Sequence, residues 1–223
     1  MMIAGFKRCS IICLIGATLS TPCVAQNPSK VAQAHDAVVA IIRNARLIEA
    51  LSGMGAMDQL IRLRFLAIRK DATADERAAL DSIFQSEFHP IDVSNTARLK
   101  QLLAGRDWFK LSEVGARAAG SAFSIVQHSD DLAFQREVLK KMEPLVGTDE
   151  LTGESYALLY DRVAVQDGRP QRFGSQGADC KQGKYMTPSN VEDPTNLDRR
   201  RAALGMEPEA AYLAELDDMY GRC

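Results

Sequence analysis

Apolar residues recur at steps of three and four positions through most of the chain, and this spacing is the strongest constraint on its fold. One such series runs from Val31 to Ile48 within residues 29–51. The 3.6-residue period of an α-helix places these positions on one face. Glycine, proline and capping residues separate one series from the next. The sequence therefore predicts a mainly α protein, a single-domain helical bundle over residues 26–223.

Three helices are predicted with distinct roles in this bundle. The helix over 29–51 is expected to end near Gly53 and Gly55, because glycine disfavours a helix interior. The segment 58–70 is apolar around much of its circumference, which predicts a buried central helix. The segment 112–127 is rich in alanine and glycine, which predicts a core helix with closely packed neighbours. Further helices are predicted at 73–88, from 92 or 94 to 105, at 129–142, 151–163 and 193–205, and from 208 onward, with a small β-hairpin insert near 170–187.

The first 25 residues have the pattern of a cleavable signal peptide. Lys7 and Arg8 precede an apolar stretch at 9–19, and small residues end at Ala25. The stretch is shorter than the roughly 20 residues that span a bilayer. The alternatives are a retained amphipathic helix and a lipid anchor at Cys23. We expect cleavage after Ala25, export to the periplasm or medium, and no membrane span after cleavage.

The number of cysteines also fits an exported protein. Of the five in the chain, cleavage leaves Cys180 and Cys223. In an oxidising compartment such a pair is most simply a disulfide, which here would join the C-terminus to the hairpin region. Two free thiols, or an intermolecular link through Cys223, remain the alternatives.

Charge and motifs exclude several classes of function. The chain has 27 Lys and Arg against 29 Asp and Glu, so it lacks the positive field that holds nucleic acid. It contains no phosphate-binding glycine loop, no serine-hydrolase elbow and no zinc-protease motif. Its three histidines are far apart in sequence. We therefore expect no cofactor and no metal site.

Polar residues in apolar surroundings are the candidates for a site. Asp58 and Arg62 lie one turn apart on a predicted helix, which favours an intrahelical ion pair. His128 lies where one predicted helix ends, close to Asp131 at the start of the next. This position fits helix capping, and it also fits an imidazole that binds a ligand or acts as a general base.

A second group follows the predicted helix at 151–163. Asp161 and Arg162 are typical of a structural clamp between a helix and a loop. Gln171 and Gln176 lie in the predicted hairpin region, where solvent contact is their simplest role. A bulge at Gly174 would be needed to bring the two amides to one side.

The order of these motifs resembles an uncharacterised bacterial family of domains of unknown function. That family is marked by a Gln-His-Ala-Asp step, which here reads QHSD at 127–130. It is also marked by a Gln-x-Tyr-Gly-Thr-Gln step, which here reads QRFGSQ at 171–176. The likeness covers roughly residues 54–217. It implies a shared fold and a shared polar site, and it names no chemistry.

We therefore expect a non-catalytic binding or interaction module rather than an enzyme. In this hypothesis a shared pocket binds a small polar ligand or a peptide. The alternative is a hydrolase of envelope material that uses water, in which His128 is the general base and Asp131 or Asp161 orients it. A third possibility is a purely structural helical protein. The predicted ligand-binding residues are Gln127, His128, Arg162, Gln171 and Gln176.

Overall fold

The computed structural model describes residues 29–221 and 223, and the predicted signal peptide at 1–25 lies outside the described residues. The described part is mainly helical with one small antiparallel hairpin, as predicted. The helices are α1 (Lys30–Arg43), α2 (Ala45–Lys70), α3 (Ala74–Ile83), α4 (His89–Leu103), α5 (Leu111–His128), α6 (Leu132–Met142), α7 (Gly153–Gln166), α8 (Leu197–Ala202) and α9 (Glu209–Tyr220). The strands are β1 (Asp179–Lys181) and β2 (Lys184–Met186), and a π-helical turn at Phe84–Phe88 joins α3 to α4.

Helix α5 is the centre of the bundle. It packs against α1, α2, α4, α6 and α7. Its residues Val114, Ala118, Ala122, Ile125 and Val126 are all buried, at the spacing that one helical face requires. The prediction of a tightly packed core helix is therefore confirmed. Because α5 ends at His128, that residue lies among the elements that surround the core.

The predicted end of a helix near Gly53 and Gly55 is wrong. The break comes earlier, at Asn44, and α2 continues through both glycines. Gly55 lies so close to α5 that a Cβ added to it would be 2.3 Å from the Cβ of Ser121. The packing of α2 against α5 therefore outweighs the helix penalty of glycine, which is about 1 kcal/mol.

The prediction that 58–70 is buried around much of its circumference is also wrong. Leu60, Leu63 and Ile68 are each more than half exposed. Within α2 the fully buried positions are Leu51, Gly55 and Asp58. The C-terminal half of α2, residues 58–70, thus buries an acid and exposes leucines, which is the reverse of the usual preference.

The region around the predicted hairpin has two parts. The hairpin itself is short, with Cys180 opposite Tyr185. Residues 171–175 form a loop around the side chain of Asp161 instead of a strand. A single bridge from Gln171 to Val191 holds the start of this loop. The buried carboxylate of α7 therefore determines the path of the chain here.

Cys180 and Cys223 lie at disulfide distance, with their Cα atoms 5.8 Å apart. This separation is within the range found for disulfides. The pair joins the residues after α9 to strand β1, as the sequence led us to expect.

Candidate functional site

An open cleft with a volume of about 470 Å³ lies where the ends of α4, α5 and α7 meet α2. Its wall is predominantly polar. The side chains that line it include Arg62, His89, Asp92, His128, Arg162 and Gln176. The cleft thus contains residues that are far apart in sequence. Four of the five residues predicted to bind a ligand line it, namely Gln127, His128, Arg162 and Gln176, and Gln171 does not.

His128 is oriented by Asp58. Its Nδ1 is 2.9 Å from the Asp58 Oδ2 atom, and the Asp58 side chain is only 3% exposed. The other ring nitrogen, Nε2, has no hydrogen-bond partner among the described residues, and the ring lines the cleft. A neutral imidazole held in this way donates from Nδ1 to the carboxylate and keeps Nε2 as an acceptor.

The Asp58 carboxylate is held in its charged form. Burial by itself raises its pKa, but the hydrogen bond and charge of His128, together with Arg62, outweigh burial. The resulting pKa of Asp58 is below its ordinary value. Gln59 also donates to this carboxylate, with its Nε2 atom 3.2 Å from the Asp58 Oδ2 atom. Asp58 therefore carries a negative charge beneath the imidazole at neutral pH.

Arg62 joins Asp58 to Asp92. Its Nε donates to Asp58 over 3.2 Å, which confirms the predicted intrahelical pair. Its Nη2 donates to both carboxylate oxygens of Asp92, over 2.6 and 2.7 Å. The guanidinium also lies 5.2 Å from the ring centre of Phe84. The charge of Arg62 is thus compensated by two acids.

Arg162 makes no ion pair with an acid among the described residues. Its Nε donates to the Gln127 Oε1 atom over 3.0 Å, and its Nη1 and Nη2 atoms have no acceptor among the described residues. Burial, and then the charge of Arg62, lowers the pKa of Arg162, while Asp130 and Tyr212 act in the opposite direction. A half-buried guanidinium without a carboxylate partner among the described residues therefore faces the cleft.

A buried amide fixes the turn that carries His128. The Nε2 atom of Gln135 donates to the carbonyl oxygens of Val126 and Ser129, over 3.0 and 2.8 Å. These two carbonyls flank Gln127 and His128 in the chain. Since Gln135 is fully buried, it restrains both residues at the end of α5.

Asp131 and Asp161 do not orient His128. Asp131 caps α6 by accepting from the amide of Phe134, and it also pairs with Lys100. Asp161 is fully buried among the loop that follows α7. The partner of His128 is Asp58, which lies 70 residues away in sequence.

The two predicted glutamines differ in their roles. Gln171 is buried, and its side chain donates to the Gln176 carbonyl and to Asn190, so it holds the loop closed. Gln176 lines the cleft, and its Nε2 donates to the Leu158 carbonyl. Gln176 is thus available to a ligand through its Oε1 atom, while Gln171 acts on the loop.

The sequence singles out Asp58 and Arg62 as charges on an apolar helix, but it does not place them beside His128, and it does not indicate Asp92 at all. Nothing local distinguishes Asp92, because its link to Arg62 spans 30 residues. The rim of the cleft adds an exposed contact between His89 and Asp130, with 3.0 Å between their Nδ1 and Oδ2 atoms.

A family model described as "Family of unknown function (DUF6624)" matches residues 46–223. No curated protein and no solved structure gives a significant match. Within 29–221 and 223, no helix is both long and apolar enough to cross a membrane. The same residues contain no group of three or more histidine, cysteine or acidic side chains arranged to hold a metal ion.

Proposed function

Because the chain belongs to this family of unknown function, its chemistry has to be argued from the cleft, and we propose that the cleft binds a small anionic ligand. The ligand's carboxylate or phosphate group lies against Arg162. The observation that carries this proposal is the guanidinium itself, which is half-buried, lines the cleft and donates to one neutral amide. A partly desolvated charge attracts a counter-charge more strongly than one in bulk water does, and a bound anion supplies it.

The geometry of Arg162 suits an anion. Two parallel N–H···O bonds from a guanidinium match the oxygens of a carboxylate or phosphate. The hydrogen bond to Gln127 holds the Nε side of the group, so the two Nη atoms are left for the ligand. His128 and Gln176 line the same cleft and add polar contacts. Arg62 is less suited, because Asp58 and Asp92 already compensate it.

The proposal is tested by titrating acetate and inorganic phosphate into the protein at constant ionic strength. Isothermal calorimetry and thermal unfolding are measured for the wild type, Arg162→Gln and Arg136→Gln. Arg136 is the matched control because it is exposed and pairs with Asp167, and neither residue lines the cleft. We expect Arg162→Gln to abolish binding and Arg136→Gln to retain it. Equal binding by all three proteins contradicts the proposal and leaves the cleft residues with a structural role.

A second candidate function is hydrolysis by water, and the Asp58–His128 pair supports it. An imidazole fixed by a buried carboxylate at Nδ1 can accept a proton at Nε2 from an attacking water. Arg162 would stabilise the negative charge that develops on the substrate. Ser129 is not an alternative nucleophile of this kind, because it is buried and its hydroxyl oxygen accepts from the amide of Asp131.

This second candidate is tested with p-nitrophenyl acetate across a range of pH. A general-base role requires that His128→Gln lose most of the rate and that Asp58→Asn shift the pH profile. The control is His35→Gln, since His35 is exposed on α1. Rates equal to that of the wild type in all three variants remove His128 as a base for this ester.

We also propose that the chain is exported and cleaved after Ala25. The pairing of Cys180 with Cys223 supports an oxidising compartment. Expression with the native N-terminus in a bacterium tests the proposal. N-terminal sequencing should begin at Gln26, and the intact mass should increase by that of two hydrogen atoms when a thiol reductant opens the disulfide. An intact N-terminus in the cytoplasmic fraction contradicts it.

A further inference from the structure

A second cavity, with a volume of about 730 Å³, adjoins the cleft. The two cavities share Arg62, Phe84, Gln85, His128 and Arg162 in their linings. We call the cleft the first arm and this second cavity the second arm. Arg162 therefore lies at the junction of the two arms. A ligand held by Arg162 has access to both arms.

The two arms differ in chemistry. The first arm continues to His89, Asp130 and Gln166, which are polar. The second continues along α2 and the end of α9, where the lining is largely apolar. Its apolar lining residues are Leu63, Phe65, Leu66, Met219 and Tyr220. The ring centres of Phe65 and Phe84 are 4.9 Å apart, so an aromatic pair forms part of this wall.

The second arm leaves apolar surface in water without adding an uncompensated charge. Leu63 is 59% exposed and Met219 is 46% exposed. The charged residues Arg69 and Asp81 also line this arm, and they pair with each other over 2.9 Å. The arm thus combines one uncompensated positive charge at its inner end with an apolar wall beyond it. Covering that wall is favourable because apolar surface is removed from water.

We propose that the ligand is an amphiphile, with its anionic group at Arg162 and an apolar tail along Leu63, Phe65 and Met219. This inference rests on the proposed binding of an anion at Arg162, and it adds the chemical class of the remainder of the ligand. The anionic group of the ligand matches the guanidinium of Arg162, and the apolar tail matches the exposed apolar wall. A short anion such as acetate can bind the guanidinium but has no tail to cover the wall.

Affinities for acetate, butanoate and octanoate test the proposal, with octanamide as the uncharged probe. We expect octanoate to bind at least tenfold more tightly than acetate, since burial of about two methylene groups is sufficient for that factor. Leu63→Asn should reduce this ratio to below threefold and leave acetate binding unchanged. Leu60→Asn is the matched control, because Leu60 is 63% exposed on the same helix and is not part of the wall.

The outcomes separate the two proposals. If octanoate binds no more tightly than acetate while Arg162→Gln abolishes both, the anion site stands and the amphiphile is wrong. If Leu63→Asn and Leu60→Asn have equal effects, the tail lies elsewhere and the inference also fails. Octanamide binding as tight as octanoate, unaffected by Arg162→Gln, contradicts both proposals.

Discussion

Asp161 and Arg162 are neighbours on α7, and they show two opposite ways in which a protein holds a charge, one fully buried and one half-buried. The Asp161 carboxylate accepts from the backbone amides of Arg172, Phe173 and Ser175, and from the Ser175 hydroxyl. Arg162 donates to one neutral amide and faces an open cleft. The first charge is satisfied within the fold and determines a loop. The second keeps its two Nη atoms without an acceptor among the described residues, and this contrast is the basis of the functional proposal.

The largest effect that sharpens this contrast should come from Asp161→Ala. The substitution leaves three backbone donors and one hydroxyl without their acceptor, at a cost of about 1 kcal/mol or more for each buried donor. We expect the free energy of unfolding in urea to fall by about 4 kcal/mol. Asp149→Ala, an exposed aspartate before α7, is the control. A loss below about 1 kcal/mol shows that the loop does not depend on this carboxylate.

Asp58→Asn should lower the free energy of unfolding by about 2 kcal/mol at neutral pH. The reason is that the two charge-assisted hydrogen bonds with His128 and Arg62 are weakened. The lowered pKa of Asp58 means that folding favours its ionised form. This stabilisation is complete above about pH 4 and is lost as the pH falls through the folded pKa. Urea unfolding of both proteins from pH 7 to pH 2 checks this. The difference between them should shrink toward the acid end, and a constant difference contradicts the assignment.

Arg162→Met should act in the opposite direction. Removal of an uncompensated charge should raise the free energy of unfolding by about 1 kcal/mol while anion binding is lost. Arg201→Met is the comparison, because Arg201 is buried but donates to the carbonyls of Phe173 and Glu207. The free energy of unfolding of Arg201→Met should fall by about 2 kcal/mol. If both variants lose stability equally in thermal and urea unfolding, Arg162 has a structural role, as Arg201 has.

Local pattern predicts the fold well where packing and propensity agree. Helix α5 is an example, since its small apolar residues form one face and that face is buried. The pattern fails in α2, where Gly55 meets Ser121 and packing overrides the local preference for a break. It also fails at Leu60 and Leu63, because their burial depends on which side of α2 faces α5. Helical period alone does not contain that information.

The site is less predictable from the sequence than the fold, because it also depends on how the helices pack against one another. His128 and Arg162 could be selected from the sequence as polar residues at helix ends, and both line the cleft. The carboxylate that orients His128 could not be selected, because Asp58 is 70 residues distant and acids nearer in sequence were available. Local reasoning chose Asp131 and Asp161, which instead cap α6 and hold a loop. Only the packing of α2 against α5 brings Asp58 to the ring.

The smallest predicted effect concerns Asp130, whose charge acts on Arg162 from the rim of the cleft. Because its side chain is 75% exposed, Asp130→Asn should leave the free energy of unfolding unchanged. The positive potential at Arg162 should rise, so phosphate should bind about twofold more tightly at low salt, and the gain should disappear at high salt. Calorimetric titration at both salt concentrations measures this, with Asp149→Asn as the control. Weaker binding by Asp130→Asn would place the anion in contact with the His89–Asp130 rim rather than at Arg162, and the contrast between Asp161 and Arg162 would then carry no functional meaning.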